Sequence, residues 1–127
     1  MTRINCVPPA ELNDKHLLAE YRELPRVFAL AAAAYDRGED PTAYPDEYLL
    51  GKGHVKFFYA RLLYLKWRHQ DLVDEMLRRG WAPKYRRVPA AADHLPASWW
   101  CPWEPTADAL ALNRERIRQR TQTPTVR

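Results

Sequence analysis

Prolines decide where this chain is free to be helical. A proline inside a helix removes a backbone hydrogen bond, clashes with the carbonyl four residues earlier and pushes the residue before it towards extended backbone. Pro8 and Pro9 therefore hold residues 1–12 extended. In "DRGEDPTAYPDEY" (36–48), Gly38 stops a helix, and Pro41 and Pro45 prevent its restart. Prolines 83, 89, 96, 102 and 105 exclude long elements between Trp81 and Pro105. Three windows remain.

The first window opens on Asn13 or Asp14 as an N-cap and runs to about Tyr35. The second, "GKGHVKFFYARLLYLKWRHQDLVDEMLRRG" (51–80), carries the strongest helical signal. Val55, Phe58, Leu62, Leu65, His69, Leu72 and Met76 recur at spacings of three and four and share one face, with Gly80 as the cap. A short turn around 54–59 divides this run from the longer helix in one version of the reading. The third window spans roughly Thr106 to Thr121, which leaves 121–127 as a flexible tail. No strand pattern and no internal repeat is present. The expected fold class is all-α: three main helices with long irregular connections.

Connections this long are usually functional or specially packed. One of them holds "WWCPW" (99–103). Trp99, Trp100 and Trp103 read either as an apolar plug over the helices or as a stacking surface for a base or sugar.

A chain of 127 residues, 46% hydrophobic, is expected to form one domain with a real core. Its charge is lopsided: residues 1–50 hold five basic and nine acidic residues, residues 51–127 fifteen and seven. A basic surface of this kind suits a polyanion such as nucleic acid or a membrane face. Cys6 and Cys101 lie in no metal-ligand spacing, so they are expected to be buried free thiols of a reducing compartment. No apolar run reaches the roughly 18 residues of a membrane span, and no signal-peptide core is present. The expected location is the cytoplasm. "GKGH" (51–54) lacks the pattern of a phosphate-cradling loop, and no serine sits in a nucleophile elbow.

The first helix gathers charge around one carboxylate. At about 100° per residue, Leu17, Tyr21, Leu24 and Phe28 make a core face, while Lys15, His16, Arg22 and Arg26 fall on the side of Glu23. Pro25 is expected to bend or open the helix beside Glu23. Such a stripe serves either as an exposed face laced with ion pairs or as a phosphate-binding surface whose carboxylate stabilises a cationic sugar or moves a proton. Thr2 favours removal of Met1 by methionine aminopeptidase. Its α-amine would then have a pKa near 7.7–8.0, lowered further by Arg3, and a neutral amine can attack carbon to form an imine.

"MTRIN" (1–5), "HLLAEYRELPRVF" (16–28) and "GKGHVKFFYARLLYL" (51–65) resemble the pyrimidine-dimer DNA glycosylases with abasic-site lyase activity. The resemblance runs to about residue 120 and thins over 36–48 and 86–106. It implies three helices with the amino-terminal segment threaded between them. It implies that the Thr2 α-amine attacks C1′ of the sugar bearing the 5′ base of a cyclobutane dimer, and that Glu23 stabilises the cationic sugar and assists β-elimination. Arg22 and Arg26 match positions that hold the damaged strand, Arg3 and His16 match positions near the same site, and Arg116 and Arg120 match basic positions that grip DNA. The implied partner is double-stranded DNA containing dimers or abasic sites, met by a monomer with no metal or cofactor. Independently of the resemblance, "RRGWAPKYRR" (78–87) offers Arg78, Arg79, Lys84, Arg86 and Arg87 as phosphate contacts. The sequence departs from the family where members carry an aromatic carboxyl-terminal tail, reading "RQRTQTPTVR", and in the acidic end of its first helix, "LAAAAYDRGED". Two rivals follow: an abasic-site lyase or DNA-binding protein without dimer specificity, and a non-enzymatic interaction module.

Overall fold

A computed structural model describes residues 3–122; Thr2 and the end of the expected tail, 123–127, lie outside the described residues. Asn13 opens helix α1 (Asp14–Asp36) by accepting from the His16 N–H at 2.8 Å. The helix runs without interruption through Pro25. It ends where Gly38, at φ +86°, lets the amides of Gly38 and Glu39 turn back onto the carbonyls of Tyr35 and Ala34. Leu17, Tyr21, Leu24 and Phe28 are buried, as their spacing predicts.

The run from 51 to 80 is two elements. A four-residue helix, α2 (His54–Phe57), is followed by a turn and then by α3 (Leu62–Arg78). The break has a tertiary cause. The Ala60 carbonyl accepts from the Cys101 N–H, and Arg61 pairs with Trp100 in an isolated antiparallel bridge, so this backbone is taken by the tryptophan segment. The apolar stripe survives the break: Phe58, Leu62, Leu65, His69, Leu72 and Met76 are all buried, and α3 packs on α1.

Helix α4 (Ala107–Gln122) begins where the Thr106 hydroxyl accepts from the Ala109 N–H at 3.0 Å. It therefore extends through Thr121, the first residue assigned to the tail. Between α3 and α4 only short 3-10 turns form, at Ala90–Ala92 and Ala97–Trp99. Trp99 is sealed edge-on against Tyr35 and Tyr44, and Trp103 stacks on Tyr48 beside Phe57 and Tyr64. Trp100 leans on Phe28 and donates its indole N–H to the Ala92 carbonyl. The "WWCPW" stretch is thus an apolar plug. Cys6 is buried as expected, but Cys101 is only half-buried, because it lies in the loop that carries the plug.

Ile4, Asn5, Cys6 and Val7 run through the interior outside any helix, while Pro9–Glu11, expected to be extended, form a 3-10 turn that opens on its two prolines. Buried backbone outside a helix or sheet needs partners from elsewhere. Asn113 of α4 supplies one: its Oδ1 accepts from the N–H groups of Cys6 at 2.7 Å and Val7 at 3.1 Å, while its Nδ2 donates to Asn5 Oδ1. Arg68 of α3 donates to the Val7 carbonyl, and Glu20 of α1 accepts from Asn5 Nδ2. The fold is all-α, with the amino-terminal segment tied to all three long helices. No described helix is long and apolar enough to cross a membrane.

Candidate functional site

Where the buried segment surfaces, it meets a cleft of about 420 Å³ between the first half of α1 and the last turns of α4. Arg3 and Asn5 come from the segment, Lys15, His16, Glu20 and Glu23 from α1, and Arg116 and Arg120 from α4. The helix caps and Asn113 set this geometry. Asn13 starts α1 one turn before His16, and Asn113 locks α4 to the segment one turn before Arg116.

The cations are close enough to disturb one another. The Arg3 guanidinium is pushed to lower pKa by burial and then by Arg120 and Arg116. His16 is likewise pushed down, by burial, then by Lys15 and Arg120, which favours its neutral form. The two carboxylates are engaged elsewhere in part. Glu20 is held by Arg68 and Asn5, and Glu23 pairs with Arg26 at 3.1 Å. Three buried polar atoms of the cleft, Arg3 Nη1, His16 Nδ1 and Arg116 Nε, have no hydrogen-bond partner among the described residues. Three arginines crowded together, two of them with unmet guanidinium donors, suit an anion.

The sequence candidates separate into two sets. Arg3, His16, Glu23, Arg116 and Arg120 meet in the cleft. Arg22 and Arg26 stand exposed outside its lining, with Arg26 tied to the outer edge through Glu23. Lys84 and Arg86 flank Tyr85, whose N–H donates to the Tyr21 hydroxyl at 2.6 Å and whose carbonyl lies 3.0 Å from His69 Nε2. That fixes the basic loop to α1 and α3, with both side chains exposed. Arg86 lines a separate depression with Lys66 and Arg87. Arg78 and Arg79 are paired to Glu75, and Arg79 also caps the Pro9 and Leu12 carbonyls, which gives it a structural role. No group of three or more metal-ligating side chains occurs among the described residues.

The residues that hold the segment in place, Asn5, Glu20, Arg68, Asn113, His54 and Tyr48, were not singled out as such from the sequence. A signal existed for two of them. Arg68 sits on the apolar stripe of α3 between Leu65 and Leu72, and Glu20 sits among Leu17, Tyr21 and Leu24. A charge on a buried face asks for a partner.

Fold and cleft together place the chain among all-α proteins with a cationic groove at the mouth of a buried amino-terminal segment. The pyrimidine dimer DNA glycosylase family matches residues 1–87, more than half of the sequence, and the chain belongs to that family. Arg3, His16 and Glu23 lie within the matched stretch; Asn113, Arg116 and Arg120 lie beyond it.

Proposed function

We propose that the protein excises the 5′ base of cyclobutane pyrimidine dimers in double-stranded DNA and then nicks the strand. The α-amine of Thr2, after loss of Met1, attacks C1′ of the damaged nucleotide. The bond from C1′ to the base breaks, and the base leaves with the electron pair and takes up a proton, while it stays joined to its neighbour through the cyclobutane ring. The sugar ring opens to an iminium linking protein and DNA. Loss of a C2′ proton expels the 3′ phosphate by β-elimination, and water then hydrolyses the imine and returns the amine.

The observation that carries this reading is the convergence of Arg3, His16, Arg116 and Arg120 with Glu23 at the mouth of the segment that Thr2 begins. The three arginines hold backbone phosphates. Glu23 supplies the negative charge that a cationic sugar needs and a site for the proton transfers. Exposed Arg22 and Arg26 on α1, and Lys84 and Arg86 on the loop tied to α1 through Tyr21, offer further phosphate contacts.

Borohydride reduces an imine to a stable amine, so it tests the scheme directly. The expected result is a covalent adduct with both dimer-containing and abasic duplexes, mapping to the amino-terminal peptide. Trapping on abasic DNA alone would identify a lyase without dimer specificity. Binding without any adduct would identify a non-enzymatic module.

A further inference from the structure

Both polar groups of the Ile4 backbone are held by side chains. Its N–H donates to His54 Nε2 at 2.8 Å, and its carbonyl accepts from the Tyr48 hydroxyl at 3.0 Å. The other ring nitrogen, His54 Nδ1, lies 2.8 Å from the Leu49 carbonyl. A carbonyl only accepts, so Nδ1 carries the ring proton and Nε2 presents its lone pair. Two backbone groups on opposite sides of the ring thus fix one neutral tautomer.

The local sequence is built to place this ring. Gly51 and Gly53 adopt φ of +75° and +92°, a region that side chains rarely tolerate, and Gly53 precedes α2 so that His54 turns inward. His54 is 3% exposed and packs edge-on against Tyr48 and Phe58. This gives "GKGH" a role that phosphate binding does not.

We propose that His54 is a positioning residue: through the Ile4 amide it fixes how far the amino-terminal segment reaches, and so the point from which the Thr2 α-amine is presented. The inference rests on the amine being the nucleophile. Asn113 anchors Cys6 and Val7, and Glu20 and Asn113 hold the Asn5 side chain, but those anchors alone would leave the backbone of Arg3 and Ile4 free to pivot. The Ile4 clamp moves the last fixed backbone to within two residues of the amine, each worth about 3.5 Å of reach. Attack on C1′ needs the nitrogen at contact distance and in line, and a shift of about 1 Å can cost around a hundredfold. The titratable groups facing the ring are Arg3 and the Tyr48 phenol. Burial pushes the His54 pKa down, the Leu49 bond opposes this and the Arg3 charge adds to the fall, so the lone pair that Ile4 requires is kept.

Full-length wild type, His54→Gln, His54→Asn and Tyr48→Phe are compared by borohydride trapping on a dimer-containing duplex. The Gln amide reaches the place of Nε2 and accepts from Ile4. The shorter Asn amide reaches the place of Nδ1, keeps Leu49 and leaves the Ile4 N–H unmet. At saturating DNA, His54→Gln is expected within about threefold of wild type and His54→Asn about a hundredfold slower, with duplex affinity and melting temperature alike in the two. Tyr48→Phe keeps the ring packing and deletes the bond to the Ile4 carbonyl, so it is expected to slow trapping without weakening binding. It decides the matter if both His54 variants fail to fold. Equal trapping by Gln and Asn variants that fold, or unaltered trapping by Tyr48→Phe, overturns the positioning role alone. Absence of any wild-type adduct overturns the amine reading and this inference with it.

Discussion

The Arg68 guanidinium meets the Glu20 carboxylate through two parallel hydrogen bonds, Nε to Oε2 at 2.8 Å and Nη2 to Oε1 at 3.0 Å, with the side chains 4% and 1% exposed. Each partner also holds the amino-terminal segment: Arg68 through the Val7 carbonyl and Glu20 through Asn5. The pair is therefore the joint at which α1, α3 and the segment meet. Taking two charges out of water costs nearly as much as their attraction returns, but leaving one of them alone costs more.

Arg68→Met is accordingly expected to destabilise the fold by about 3–5 kcal/mol, since it strands the Glu20 carboxylate. Adding Glu20→Met should recover much of that loss, a coupling that urea denaturation of the two single variants and the double variant measures. Additive losses would mean that the two side chains act separately.

Glu23→Gln keeps the size and shape of the side chain and removes its charge. The Glu23–Arg26 pair joins a half-exposed carboxylate to an exposed guanidinium, so its loss should change stability by no more than about 1 kcal/mol. Adduct formation should fall by about a hundredfold or more, because the proposed scheme relies on this anion to stabilise the cationic sugar. Duplex affinity should hold. A parallel loss of affinity and trapping would give Glu23 a structural role only.

Arg116→Ala and Arg120→Ala should each weaken duplex binding and reduce the slope of log affinity against log salt by up to about 0.9. Both side chains line the cleft, and Arg120 is near enough to Arg3 and His16 to depress their pKa values. Fluorescence anisotropy across a salt series checks this. An unchanged slope in both variants would take α4 out of the DNA-binding surface.

Helix limits were legible because their signals are local. The asparagine cap, Gly38, Gly80 and the prolines place α1, the end of α3 and α4 within a residue or two of their observed bounds. The break before α3 was only half legible. The sequence allows a short turn around 54–59 before the longer helix, but the Ala60–Cys101 hydrogen bond that accompanies the break joins segments far apart in the chain. The Glu23 face was legible by periodicity, yet its division was not. Which of Lys15, His16, Arg22 and Arg26 line the cleft depends on where α4 lies, and that is set by Asn113 reaching Cys6, a contact spanning 107 positions. The same limit hid His54, whose partner Ile4 is 50 positions away.

Acid should loosen the fold through histidines first. His54 and His69 are pushed down chiefly by burial, each opposed by a bond to a backbone carbonyl, and His16 is pushed down by burial and its cationic neighbours. With folded pKa values below the unfolded 6.5, the unfolded chain binds more protons in between, so stability falls as pH drops below about 6.5. Glu75, pulled down to about 2 by Arg78 and Arg79, stays ionised in the folded protein and adds its own loss only below about pH 4.5. Urea midpoints at pH 7.5 and 5.5 should therefore differ for wild type and differ less for His54→Gln with His69→Gln. An equal difference in that double variant would assign the acid sensitivity to other groups.

A blocked amino terminus should abolish chemistry and spare the fold. Residues 4–7 are anchored by His54, Tyr48, Asn113 and Arg68, none of which depends on what precedes Arg3. Retained Met1 moves the terminal nitrogen by about 3.5 Å along a chain whose anchor does not move. Acetylation of Thr2 leaves the nitrogen in place but delocalises its lone pair into an amide. Both forms should melt like the unblocked protein, bind duplex DNA and give no trapped adduct or strand cleavage. Thr2→Ser should stay active, because the proposed nucleophile is the α-amine and not the side chain. An adduct formed by the acetylated protein would require a lysine instead, and Lys15, on the rim of the same cleft, is the first to replace.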